Sequence, residues 1–172
     1  MTGYLLWRKK LDGGSDDGNE IVLYETKVFV PFAWSLLFGE DDLKKVGDDT
    51  VLTAQPPPAL ERARTRLAKL EPLLTAELRD VLAGFVESVA ARQDGWLVLD
   101  PYRIEMSDLE LITPARWFDS PDPRTAAAVF ADDDGVDLDD DGLLDVGDDE
   151  RVAGWPITET SPPERPTVEL AP

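Results

Sequence analysis

The chain has 172 residues, with 17 Lys and Arg against 36 Asp and Glu, and it contains no His and no Cys. A formal charge of −19 opposes attraction to nucleic acid or anionic lipid through the net field. The missing thiols and imidazoles exclude a disulfide framework, a thiolate nucleophile, sulfur- or His-ligated metals, and Ser-His-Asp or Cys-His catalysis.

Gly3 to Arg8 and Glu20 to Val30 are rich in aromatic and β-branched residues, and turn formers over 11–19 separate them, so they predict a β-hairpin. Pro31 suits the first turn of a helix reaching Phe38, with Trp34, Leu37 and Phe38 on one buried face and Gly39 at its end. Asp41 to Asp49 is a charged connection, and Thr50 to Ala54 predicts a short strand. From Pro58 to Leu70, residues Leu60, Ala63, Leu67 and Leu70 recur at helical spacing, while Arg62, Arg66 and Lys69 line another face, with Arg64 to one side. That basic stripe reads as a solvated face, or as a seat for the chain's own acidic segment. Thr75 is a good N-cap for a second helix, in which Leu78, Val81, Leu82, Phe85, Val86 and Val89 keep one apolar face.

Trp96 to Leu99 predicts a strand, and Asp100-Pro101 turns the chain toward Tyr102 to Met106. Ser107-Asp108-Leu109-Glu110 matches a capping box, with Pro114 ending the helix it opens after about two turns. Thr125 to Phe130 fits helix or strand equally. The five Trp, at 7, 34, 96, 117 and 155, suit a core. Trp117 and Trp155 flank irregular or acidic sequence and are also candidate anchors for a partner.

Residues 132 to 150 hold eleven acids and no Lys or Arg, so the chain's acidity is concentrated there. Five of the last seventeen residues are Pro, which predicts an extended tail over 156–172. Within the acidic segment, residues 137–148 place carboxylates at positions 1, 3, 5, 9 and 12, with Gly142 at position 6. Over those twelve residues the pattern resembles the calcium loops of EF-hand and dockerin repeats. The resemblance implies side-chain ligands from Asp137, Asp139 and Asp141, a backbone carbonyl from Leu143, and a closing carboxylate from Asp148, where EF-hands carry Glu. A solvated acidic loop is the competing reading. Paired carboxylates offer acid–base chemistry without His, and Glu25, Glu105 and Glu110 are the candidates, but no pairing is visible and no catalytic residue is assigned.

These readings give an α+β fold, a small and mostly antiparallel sheet with two or three helices packed on one face and an acidic irregular C-terminal segment. The expected divisions are a globular domain over 1–130, an acidic loop over 131–155 and a Pro-rich tail over 156–172. The apolar run from Val28 to Phe38 is broken by Pro31 and Ser35 and falls short of the roughly 20 residues that cross a bilayer. The amino terminus reverses the order of a secretory signal, so the expected location is the cytoplasm, away from membranes. The leading functional expectation is a non-enzymatic interaction domain whose acidic surface, through Asp139, Asp140 and Asp141 with Trp117 and Trp155, meets a cationic protein. In size and charge this is similar to immunity proteins that neutralise basic toxins. The alternative is a calcium-binding domain, with Ca²⁺ the one candidate cofactor.

Overall fold

The computed structural model describes residues 2–12, 18–26, 30–132 and 136–147. Gly3–Arg8 (β1) and Glu20–Thr26 (β2) form the expected antiparallel hairpin, with a register shift at Leu5/Leu6. A second hairpin joins Leu43–Val46 (β3) to Asp49–Ala54 (β4) through Gly47, whose φ of 67° suits glycine. Strand β3 replaces the charged connection expected there. Its exposed Lys44 and Lys45 hid it from a search for apolar alternation, yet such residues are common on an edge strand, where charge discourages pairing with other chains. Trp96–Asp100 (β5) lies between the hairpins, giving a five-stranded sheet in the order β2-β1-β5-β4-β3 in which every pairing is antiparallel.

Pro56–Leu70 (α1) begins two residues before the expected Pro58, because proline is tolerated throughout the first turn, where its missing N–H has no intrahelical acceptor. Ala76–Ala90 (α2) is capped by Thr75, whose hydroxyl accepts the Leu78 N–H. Asp108–Phe118 (α3) opens with the Ser107/Glu110 capping box but runs on through Pro114, correcting the expected two-turn limit. Burial of Ala115 and Phe118 beyond the proline offsets the one hydrogen bond it removes. Pro123–Phe130 (α4) settles the ambiguous segment as helix.

The helices cover the sheet face that carries Leu5, Trp7, Leu52, Ala54, Leu97 and Leu99. The 3-10 segment Phe32–Leu37 is buried along its whole length rather than on one face, because it is packed by α1 and α3. Phe32 meets Trp117, Phe118 and Phe130 at ring-centroid distances of 5.5, 5.0 and 4.5 Å. On the opposite face, Tyr4, Leu6, Val22, Val51 and Val98 form a second buried cluster, against which Trp96 and Tyr102 pack. The fold is therefore α+β with an antiparallel sheet, buried on both faces across its centre.

Candidate functional site

The acidic segment is not irregular over its described part. Val136–Leu138 (β6) and Leu144–Val146 (β7) pair antiparallel, which sets Asp137 opposite Asp145. Asp139 builds the turn between them. Its Oδ1 accepts the N–H groups of Asp141 at 3.0 Å and Leu143 at 2.7 Å, and Gly142 takes the left-handed φ of 78° that closes the loop. An Asp-and-Gly-rich sequence thus folds by using one of its own carboxylates as a backbone cap.

The hairpin is fixed to the body of the protein. Val136 and Leu144 are buried in the main core, the Leu144 carbonyl accepts the Thr75 N–H at 2.8 Å, and the Thr75 hydroxyl donates to Asp145 Oδ1 at 2.6 Å. Residues 136–147 therefore pack against the same core as the sheet and helices. The carboxylate also lies beside the first turn of α2, where the helix dipole favours negative charge.

The calcium-loop residues are placed differently from the resemblance. A calcium loop turns alternate side chains toward one centre, whereas here positions 1 and 9, Asp137 and Asp145, are cross-strand neighbours and Asp139 caps the turn. Asp141 is exposed and Leu143 half-buried. Among the described residues no three acidic side chains are grouped to hold a metal ion, and Asp148 lies outside those residues.

Of the partner-binding candidates, Asp140 and Asp141 are exposed at the turn and Asp139 is half-buried beside them. Trp117 is half-buried with its ring stacked on Phe32, so it is mainly a wall of the core. Trp155 and the tail over 156–172 lie outside the described residues. The hairpin holds one residue that the charge pattern concealed: Leu138 is 60% exposed, and it and Leu109 (57%) are the large exposed hydrophobics of the described chain. An isolated exposed leucine is ordinary. One set among Asp137, Asp140 and Asp141 on a hairpin that the core holds in place is an apolar contact within an acidic field.

The basic stripe is broken up by the fold. Arg66 is only 2% exposed; its Nη1 donates to the carbonyls of Ser35, Leu36 and Phe38, and its Nε and Nη2 hold Asp119. Burial pulls its pKa below the ordinary arginine value, opposed by the charge of Asp119. Arg62 donates to Leu37 O and Asp42. Both arginines therefore bind carbonyls at the end of the 3-10 segment, which leaves Arg64 and Lys69 as the exposed members of the stripe.

The acid–base candidates do not converge. Glu110 is held below the usual carboxylate range by the Ser107 N–H and hydroxyl that it accepts, the opposite of what a general acid needs. Glu25 belongs to the edge strand β2, while Glu105 borders a cleft that was not foreseen. This cleft, about 490 Å³, opens between the β3–β4 turn and the loop from Asp100 to Asp108. Its rim carries Asp48, Asp49, Glu105 and Asp108, and its walls include Pro101, Tyr102, Ile104 and Met106. The loop is tied down by the Tyr102 N–H on Asp100 Oδ1, the Arg103 N–H on Thr2 O and the Ile104 N–H on Pro101 O. Tyr102, just after the Asp100-Pro101 turn, adopts a left-handed φ of 48°. The Asp100-Pro101 turn was legible, but only the sheet brings Asp48 and Asp49 to it.

No helix among the described residues is long and apolar enough to cross a membrane. No protein-family model, curated protein or solved structure matches the chain.

Proposed function

We propose that the chain is a non-enzymatic, cytoplasmic interaction domain that presents the β6–β7 hairpin to a cationic protein. The observation that carries this reading is Leu138, 60% exposed among carboxylates on a hairpin whose Val136 and Leu144 are buried in the core and whose Leu143 and Val146 are half-buried. Carboxylates steer a basic partner to the surface, and an apolar side chain desolvated at the centre of the contact slows dissociation. Because the core and the Thr75–Asp145 hydrogen bond already hold the hairpin, binding has less conformational entropy to overcome.

A photo-crosslinking residue at position 138, introduced in the native cell, should capture a basic protein. With that protein purified, Asp140→Lys/Asp141→Lys should slow association about tenfold or more at low salt, and Leu138→Ser should chiefly speed dissociation. A captured protein without basic character, or one whose binding ignores both changes, overturns the reading.

A further inference from the structure

We propose that the β6–β7 hairpin holds its partner by strand addition, an extended segment of the cationic protein pairing its backbone with the outer edge of β6 at Leu138. The inference deepens the reading above and rests on it for the nature of the partner. The ladder fixes which backbone groups are offered. The Asp139 N–H donates to the Leu143 carbonyl at 2.9 Å, so the backbone of residue 139 faces β7. Backbone groups alternate in direction along a strand, and in the register Leu138↔Leu144 the N–H and C=O of both leucines therefore point out of the hairpin, to opposite sides. Those of Leu144 meet the body of the protein, where its carbonyl accepts the Thr75 N–H and the residue bridges to Leu74. Those of Leu138, and by the same alternation those of Val136, point to the far side of β6. Among the described residues β6 pairs with β7 alone.

Exposure of the side chains agrees with an open edge. Consecutive side chains of a strand leave opposite faces, yet Asp137 and Leu138 are both exposed, whereas their cross-strand neighbours Asp145 and Leu144 are half-buried and buried. The opening is thus the edge itself rather than one face. An extended segment laid there satisfies the Leu138 N–H and C=O and sets an apolar side chain beside Leu138, on the face where Val136 and Leu144 enter the core. Its alternate side chains fall beside Asp137, with Asp140 and Asp141 at the turn, which suits lysine or arginine. The same carboxylates oppose a second copy of this chain, because like charges across a strand pair repel. The occupant is therefore a segment that alternates apolar and cationic residues.

The probe is an eight-residue peptide alternating Lys and Val, blocked at both ends and titrated onto the full chain. In the free protein, hydrogen exchange read by NMR should be fast at the Leu138 amide and slower at Asp139, whose N–H faces β7. Saturation with the peptide should slow exchange at Leu138 by about tenfold or more. Two further peptides carry N-methyl groups, one on every Val and the other on every Lys, so that each lacks the donors of one strand edge. One of them should bind about tenfold more weakly than the parent, as expected for the loss of two backbone hydrogen bonds, and the other within about twofold. A Leu138 amide already protected in the free chain, no gain of protection, equal affinities for the two methylated peptides, or no saturable binding overturns strand addition. The hairpin reading survives each of these results if the captured partner still responds to Leu138→Ser and Asp140→Lys/Asp141→Lys. If the peptide adds to β6 while the captured protein ignores those changes, the proposed function fails by itself.

Discussion

At the scale of single residues, the decisive side chain is Arg66. Its helical spacing relative to Arg62 and Lys69 suggested a solvated stripe, but spacing cannot show that a 3-10 segment will bring the carbonyls of Ser35, Leu36 and Phe38 against the same position. Arg66→Ala should destabilise the fold by about 3 kcal/mol, since it leaves buried acceptors without a donor and a void behind them. Asp119→Ala should cost under about 1 kcal/mol, because that carboxylate is largely exposed. Urea unfolding of the two variants compares the values directly, and equal losses would show that the ion pair outweighs the carbonyl contacts. Glu110 gives a pH signature of the opposite kind. Its folded-state pKa lies below its ordinary value because of the Ser107 hydrogen bonds, so its contribution is full above that value and is lost as pH falls through the folded pKa. The melting midpoint of Glu110→Ala should therefore sit below that of the parent at neutral pH and approach it in acid.

At the scale of elements, local signals and long-range packing divide the sequence. The first hairpin, the Thr75-capped helix and the Ser107/Glu110 box were legible because each is specified within a few neighbouring residues. Strand β3 was not, since Leu43-Lys44-Lys45-Val46 has meaning as a strand only beside β4. The β6–β7 hairpin was hidden for a related reason. Composition predicted an acidic coil, while Val136 and Leu144, two apolar residues eight positions apart, are buried in the core and help to attach it, together with Val146 and the Thr75 hydrogen bonds. Leu144→Ala should accordingly cost about 2–4 kcal/mol and release hydrogen-exchange protection at the Thr75 amide, which donates to the Leu144 carbonyl. If the amide stays protected, the strand is held mainly by its polar contacts.

For the whole molecule, the charge imbalance was plain from composition, but its arrangement was not. Several of the described arginines turn inward or pair locally, as Arg66 with Asp119, Arg116 with Glu40 and Arg64 with Glu87, while carboxylates remain exposed at the cleft, beside Arg103, and at the β6–β7 turn. The acidic character of the site was thus legible, whereas the cleft required the tertiary fold, because its two sides are about half a hundred residues apart in sequence.

The position of β5 has a consequence for how the chain acquires this form. The sheet order places residues 96–100 between a hairpin complete by Thr26 and another complete by Ala54. Neither hairpin can reach the other, and the inner edges of β1 and β4 stay open, until the segment beyond α2 has left the ribosome. Assembly of the sheet is therefore governed by one late, long-range closure, with a large loop entropy to overcome before any central pairing forms. The acids that dominate the chain's charge lie over 132–150, later still in the sequence, so that charge cannot guard the open edges of β1 and β4 while the nascent chain waits for β5.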